Sequence, residues 1–178
     1  MIVFDTETTG LPKADASPLA NQPQIIEFAG IKLNNKTLEA EGRLEFLANP
    51  GAPLPEIIIK ITRLTDADLA DKPPFSAHIQ SLTDFFLGED TMVAHNVDFD
   101  RKLLTYELLR AGKMDRFPWP SKHVCTVEAS RSIKGHKLNL AALHEVATGG
   151  PFEDAHRAMP DVEALVRCVR FLREFNRL

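Results

Sequence analysis

In MIVFDTETTG (residues 1–10), two carboxylates follow a short apolar run. The run from Ile2 to Phe4 has the composition of a buried strand, and side chains in a strand point to alternate faces of its sheet. Asp5 and Glu7 are therefore expected side by side on one face, where their charges repel unless a cation lies between them. For this stretch alone, the simpler interpretation is that the strand has ended and both acids are solvated in a turn.

The order of the elements that follow predicts the fold class. Residues 1–5, 25–33 and 43–49 have the composition of three strands in an antiparallel meander, and residues 90–95 and 123–127 read as two further short strands. Helical patterns are predicted over residues 55–60, 66–70, 76–86, 97–112, 138–147 and 159–176. Three antiparallel strands followed by alternating helices and strands imply an α/β fold with a mixed sheet.

The composition is that of one soluble globular domain covering residues 1–178. Hydrophobic residues make up 44% of the chain and charged residues 26%, which are ordinary values. The formal net charge of -4 argues against a protein that coats long nucleic acids through many phosphate contacts. It leaves room for an enzyme that grips a few nucleotides and binds divalent cations.

The chain is expected to work in the cytoplasm. No apolar stretch approaches the length of a membrane span, and the first strand begins too close to Met1 to leave room for a secretory signal peptide. The two cysteines, Cys125 and Cys168, are too few for a disulfide framework and have no metal-binding spacing. Reduced thiols are therefore expected.

Two further acids stand near the starts of predicted helices. Asp100 is followed by Leu103 and Leu104, so it is stacked above an apolar stripe. Asp161, early in the last helix, lies at the edge of that helix's buried face by similar spacing. The common alternative for Asp100 is an acid stabilised by the helix dipole, an interpretation that suits Asp98 better.

These acids are candidates for one cation site. Desolvating several carboxylates in one place is costly, and bound cations are the simplest physical remedy. The spacing allows each acid to point at a common place, and ligation by oxygen alone suits Mg²⁺ or Mn²⁺ rather than Zn²⁺. His156 stands five residues before the last acid and follows a Gly-Gly-Pro segment that could let it swing. A lone histidine in a loop is more often structural or exposed.

Three stretches together resemble a known family. FDTETTG (residues 4–10), HNVDFD (residues 95–100) and HRAMPD (residues 156–161) are similar, in order and separation, to the three exonuclease motifs of the DEDDh group. This group belongs to the DnaQ-like 3′–5′ exonuclease superfamily. The resemblance implies an RNase H-like fold with a mixed five-stranded sheet of three antiparallel and then parallel strands, flanked by helices.

Smaller features indicate a branch of that superfamily. Residues 62–73 (TRLTDADLADKP) and 124–131 (VCTVEASR) look most like the exonuclease X branch. Proofreading subunits usually carry glycine where this chain has Arg63, which favours a more distant relation to them. Pro160, directly before the last acid, is not typical of the family but is compatible with a helix start.

The resemblance assigns roles by position. It makes Asp5, Glu7, Asp100 and Asp161 the ligands of two divalent metal ions, Mg²⁺ or Mn²⁺, and His156 the general base that accepts a proton from the attacking water. Hydrolysis would then release nucleoside 5′-monophosphates from the 3′ end of a strand.

The resemblance also implies a pocket for the last nucleotides. Backbone and side chain around Thr8 and Thr9 are expected to hold the terminal 3′ hydroxyl, and Leu11 is expected to wedge against the last bases. Phe99 would line the same pocket, with packing into the core as the alternative use of its ring.

Several functions compete at this point. The leading one is a metal-dependent 3′–5′ exonuclease on DNA, with single-stranded or frayed ends preferred. The alternatives are an exoribonuclease that trims RNA 3′ ends and a catalytically silent module that binds nucleic acid or accompanies a polymerase. A structural α/β protein with solvated acids is disfavoured by the joint motifs, and a zinc hydrolase by the lack of ligand spacing. No extended tail follows the last predicted helix, which favours a stand-alone enzyme over a polymerase subunit.

Overall fold

A computed structural model describes residues 1–175 and is built around one five-stranded sheet. The strands are β1 (Ile2–Thr8), β2 (Ile25–Leu33), β3 (Ala40–Leu47), β4 (Thr91–Ala94) and β5 (Lys122–Cys125). Their order across the sheet is β3-β2-β1-β4-β5. The pairs β1–β2 and β2–β3 are antiparallel, whereas β1–β4 and β4–β5 are parallel. The predicted mixed α/β sheet is therefore confirmed.

Helices flank this sheet on both faces. They are α1 (Glu56–Thr62), α2 (Asp66–Leu69), α3 (Ile79–Phe86), α4 (Val97–Arg110), α5 (Thr126–Lys134), α6 (Leu140–Thr148) and α7 (Ala158–Glu174). Within residues 1–175, none of them combines the length and apolarity that a membrane crossing requires. The predicted end of the last helix at Asn176 lies outside the described residues.

Helix α5 differs from the sequence-based prediction, which places residues 123–127 in one strand. The strand in fact ends at Cys125, and Thr126 begins a helix. The buried Thr126 hydroxyl lies 2.9 Å from His95 Nδ1, at the end of the neighbouring β4. This contact turns the chain out of the sheet at a point where propensity alone would continue the strand.

The alternation of β1 divides the molecule into two cores. Ile2 and Phe4 pack on the face covered by α3 and α4, whereas Val3 packs on the face covered by α7. Since side chains alternate along a strand, Asp5 and Glu7 follow Val3 to the α7 face. The apolar half of β1 thus anchors the strand, and its second half delivers two acids to one side.

Strand β1 is longer than the predicted residues 1–5. It pairs with β2 as far as Thr8, and Glu7 stands opposite Glu27 in the register. The two acids therefore lie in a strand and not in a solvated turn. Pairing with β4 on the other edge covers only Ile2 and Val3, so the edge of β1 beyond Val3 is left free for other contacts.

A close approach in the centre of the sheet gives a stability prediction. Gly30 stands opposite Phe4, and a methyl group added to it would lie 2.8 Å from Phe85 Cε1. We expect Gly30→Ala to lower the free energy of unfolding by about 1–3 kcal/mol, because overpacking forces the ring to shift. Urea denaturation measures this change.

Gly42→Ala is the matched control in the same sheet. The nearest atoms to its added methyl group would belong to Lys32 at 3.9 Å, an ordinary contact. The free energy of unfolding should be unchanged or slightly higher for this variant. Equal stability of the two variants would contradict the packing account of Gly30.

Candidate active site

Asp5 and Glu7 lie at the carboxyl end of β1, partly buried against the α7 face. Burial raises the pKa of Asp5 well above its usual range, and the charges of Asp100, Glu7 and Asp161 raise it further. Burial raises the pKa of Glu7 to about 8, with the charge of Asp161 as the next cause. The two strand acids are thus held where ionisation is costly.

Asp100 reaches the same region from the first turn of α4. Its Oδ1 accepts the Thr6 backbone N–H at 3.1 Å and the Thr6 hydroxyl at 2.8 Å. This N–H lies on the stretch of β1 that has no partner in β4. Burial raises the pKa of Asp100 to about 7, and the hydrogen bonds from Thr6 oppose the rise. Because the pairing of β1 with β4 ends at Val3, the Thr6 N–H is available to bind Asp100, the third acid.

Asp161 supplies the fourth carboxylate from the first turn of α7. Its Oδ2 accepts the His156 backbone N–H at 3.2 Å, whereas its buried Oδ1 has no hydrogen-bond partner among the described residues. Burial raises the pKa of Asp161 to about 6, and the contact with His156 opposes the rise. Burying a carboxylate oxygen without a hydrogen-bond partner costs free energy, and a bound cation would offset that cost.

His156 stands on the exposed loop before α7. One ring nitrogen of His156 and one carboxylate oxygen each from Glu7 and Asp161 lie within 4.8 Å of one another. The backbone of His156 is left-handed, with φ of 66°. Its ring is exposed, so the backbone contact with Asp161 and the course of the loop place it beside the acids.

The donor set fits divalent cations. Across residues 1–175, no lysine or arginine forms an ion pair with any of the four acids. Carboxylate oxygens without a basic partner are the ligands that Mg²⁺ and Mn²⁺ prefer. The strongest support for this fit is that the buried Asp161 Oδ1 accepts no hydrogen bond from the described residues.

A fifth acid near the site, Glu27, was not predicted from the sequence. It is buried on β2 opposite Glu7, and Arg157 Nη2 and Nε bind its carboxylate at 2.9 and 3.0 Å. The Ala158 N–H donates to Glu27 Oε2 at 3.1 Å, which ties the start of α7 to the sheet. A lone acid in the apolar run IIEFAGIKL was the signal that could have revealed it.

The Glu27–Arg157 pair gives a second stability prediction. We expect Arg157→Ala to lower the free energy of unfolding by about 2 kcal/mol, since it leaves a buried carboxylate without its partner. The double variant Glu27→Gln/Arg157→Ala should recover part of the loss. Arg131→Ala is the control, because Arg131 pairs with Glu128 where both are half exposed, and such pairs contribute little. Similar denaturation midpoints for both arginine variants would contradict the assignment.

The residues expected to hold the substrate surround the turn after β1. The Thr8 hydroxyl donates to the Gly10 carbonyl at 2.8 Å, and the Thr9 hydroxyl accepts the Gln24 N–H at 2.9 Å. Both hydroxyls thus shape the turn itself. The Leu11 side chain is 79% exposed and free to meet a ligand. Phe99 is partly buried against the core on the α4 face, so part of its ring packs there and part remains accessible.

Comparison with known proteins gives the family. A family model described as RNase_T exonuclease matches residues 2–169. The PolC-type DNA polymerase III of Staphylococcus aureus is 36% identical over 172 residues, which are 92% of this chain. The chain spans only 10% of the length of that polymerase.

Solved structures share the fold. Exonuclease X, in complex with 5′ overhanging duplex DNA, matches with a TM-score of 0.67 and 24% identity over 97% of this chain and 91% of that one. The nuclease domain of 3′hExo, a DEDDh family member bound to rAMP, matches with a TM-score of 0.74 and 19% identity over the same shares.

The match over residues 2–169 takes in β1, α4 and the start of α7, the three elements that carry the acids. The predicted family and the RNase H-like fold are confirmed. The chain belongs to the RNase_T exonuclease family, as an exonuclease domain of the DEDDh, DnaQ-like superfamily.

Proposed function

We propose that this domain is a metal-dependent 3′–5′ exonuclease that hydrolyses DNA from the 3′ end. Single-stranded or frayed ends are its preferred substrates, and nucleoside 5′-monophosphates are its products. The observation that carries the proposal is the convergence of four carboxylates with raised pKa values beside a histidine, without a basic partner among residues 1–175.

The four acids hold two divalent cations, Mg²⁺ or Mn²⁺, in this proposal. Asp5 would be the central ligand, as the resemblance implies, and the other three acids all lie near enough for their charges to raise its pKa. Glu7 and Asp161 form one side of the site together with His156. Asp100 forms the other side, oriented by its two hydrogen bonds from Thr6. When bound, such cations activate water, neutralise the phosphate and stabilise the leaving oxygen.

His156 is the general base of the proposed reaction. Its ring accepts a proton from the attacking water, whose oxygen forms a bond to the terminal phosphorus while the bond to the 3′ oxygen of the preceding nucleotide breaks. Imidazole is the side chain best suited to proton transfer near neutral pH. The ring is exposed and beside Glu7 and Asp161, so it can reach the water and then return its proton to solvent.

The turn after β1 receives the 3′ end of the strand. The backbone around Thr8 and Thr9 binds the terminal hydroxyl, and the exposed Leu11 side chain wedges against the last bases. Phe99 adds an apolar wall to the same pocket. These four assignments rest on the resemblance and on the position of the turn beside the acids.

Three relatives support a nucleic-acid substrate and leave a second candidate. Exonuclease X was solved with duplex DNA, and the PolC-type relative is a DNA polymerase, which favours DNA. The 3′hExo domain was solved with rAMP, which favours trimming of RNA ends as the second candidate. The likeness to a PolC-type polymerase is compatible with a place beside a polymerase. We also propose that the domain works in the cytoplasm.

One experiment tests both candidates. The purified protein is incubated with 5′-labelled single-stranded DNA and with RNA of the same sequence, each in Mg²⁺, in Mn²⁺ or in EDTA. We expect a ladder that shortens from the 3′ end, requires the metal and forms faster on DNA. Products are identified as 5′-monophosphates by chromatography.

Three outcomes are informative. Faster shortening of RNA would replace the leading function with the second. Shortening that persists in EDTA would contradict the metal site. Full-length strands that still shift on a gel would indicate a binding module without catalysis.

A further inference from the structure

We infer that Arg63 is a positioning residue that holds the loop carrying His156, an inference that rests on the proposed function. Arg63 directly follows α1, and its guanidinium reaches the loop before α7. Nη1 lies 3.2 Å from Asp154 Oδ1, and Nη2 donates to the Ala155 carbonyl oxygen at 3.2 Å. The two residues directly before the proposed base are therefore both contacted by one side chain.

The backbone conformation of Arg63 indicates that its side chain has a structural role. Its φ is 62° and its ψ is 7°, a left-handed conformation that glycine adopts freely and arginine does not. The conformation is required locally, since it ends α1 with an N–H bond to the Ile59 carbonyl at 2.9 Å. An arginine at such a place persists when other contacts offset the strain.

The loop itself needs a restraint. Asp154 and His156 have φ values of 55° and 66°, so two left-handed residues without glycine flank Ala155. In the part of the chain that the structure describes, Arg63 makes the only hydrogen bonds or ion pairs to residues 153–155. The side chain of His156 is exposed, so packing constrains its ring little.

Two opposite anchors therefore set the position of the proposed base. Asp161 draws the His156 N–H inward at 3.2 Å, and Arg63 holds the preceding carbonyl from the outside. With Arg63 removed, the inner anchor alone remains, and the loop gains conformations in which the ring lies away from Glu7 and Asp161. General-base catalysis depends on reach, so turnover should fall while substrate affinity is kept.

Arg63→Gly separates positioning from stability. Glycine fits the left-handed backbone, so thermal stability should be equal or higher. We expect kcat to fall by on the order of 10-fold with KM unchanged, as for other small displacements of a catalytic group. Hydrogen exchange at the amides of residues 153–157 should become faster. Arg63→Lys should lose less activity, because one ammonium can still reach one of the two acceptors.

Arg43→Ala is the matched control. Arg43 and Arg63 side chains are both 55% exposed and both bind an acid, but Arg43 pairs with Glu163 on α7 and does not contact the loop. This variant should leave kcat and the exchange rates of the loop unchanged. In a His156→Ala background, Arg63→Gly should have no further effect on the residual rate, because it acts through that ring.

Each contrary result would overturn a defined part of the inference or of the proposed function. A raised KM with normal kcat would make Arg63 a substrate contact instead of a positioning residue. Unchanged kcat and unchanged loop exchange would overturn the inference altogether. If the wild-type protein hydrolyses neither DNA nor RNA, the proposed function fails, and the exchange rates alone still decide whether Arg63 holds the loop.

Discussion

Asp5→Asn should lower exonuclease turnover by on the order of 10³-fold and at the same time stabilise the metal-free protein. The activity falls because Asp5 is the central carboxylate of the proposed site, and loss of about 4 kcal/mol of transition-state stabilisation is a thousandfold in rate. The stability rises because burial and four neighbouring acids already disfavour a charge at this position. An unfolding midpoint several degrees higher is expected, since about 1 kcal/mol shifts it by roughly 2–4 °C at this chain length.

The two effects are measured separately. Single-turnover hydrolysis of labelled single-stranded DNA in Mg²⁺ gives the rate, and thermal unfolding in EDTA gives the midpoint. Asp98→Asn is the control, because Asp98 lies exposed in the first turn of α4: the rate should be unchanged, and the midpoint should be unchanged or slightly lower, since the variant loses only a favourable interaction with the helix dipole. A destabilised Asp5→Asn protein would contradict the account of four repelling acids.

The metal-free protein should become less stable as the pH rises from 6.5 to 8.5. Folding raises the pKa of Glu7 from 4.5 to about 8 and that of Asp100 from 3.8 to about 7. In this window the folded state binds more protons than the unfolded chain, so the free energy of unfolding falls with rising pH, by a few kcal/mol. The stabilisation is complete below the unfolded pKa values and is lost as the pH passes the folded ones.

A half-buried histidine sets the lower limit of that window. The pKa of His95 is lowered by burial to about 4, so its contribution to stability is lost as the pH falls below about 6.5. This trend opposes that of the acids at low pH. The comparison is therefore clearest above pH 6.5, where His95 is neutral in both states.

Urea denaturation in EDTA at pH 6.5, 7.5 and 8.5 measures the effect. Adding Mg²⁺ should restore stability, and by more at pH 8.5 than at pH 6.5, because the cation binds the deprotonated carboxylates. Stability that is flat with pH in EDTA, or a Mg²⁺ effect that is largest at low pH, would contradict a cation site built from these acids.

Much of this molecule follows from local patterns. The apolar run before Asp5 and the alternation of a strand predict two acids on one face, and the helical spacing around Asp100 and Asp161 predicts that each lies near a buried stripe. The structure places all four around the end of β1, although their roles remain a prediction. The mixed sheet followed from the order of strands and helices.

Other features depend on partners that are far apart in sequence. The extension of β1 to Thr8 is imposed by β2, which pairs along its whole length. Glu27 stands alone as an acid in an apolar strand, and its partner Arg157 lies 130 positions away in the sequence. The left-handed conformation of Arg63 has no signature in composition, since only its contacts show why arginine is kept there.

The hydrogen bond between Thr6 and Asp100 joins residues 94 positions apart, and Asp161 follows another 61 residues later. During synthesis, the chain therefore carries the two strand acids well before it carries Asp100, and Asp100 well before it carries Asp161. A partly synthesised or truncated chain cannot assemble the proposed site. The proposed hydrolysis of nucleic acid would in this way be reserved for molecules in which the whole domain has folded.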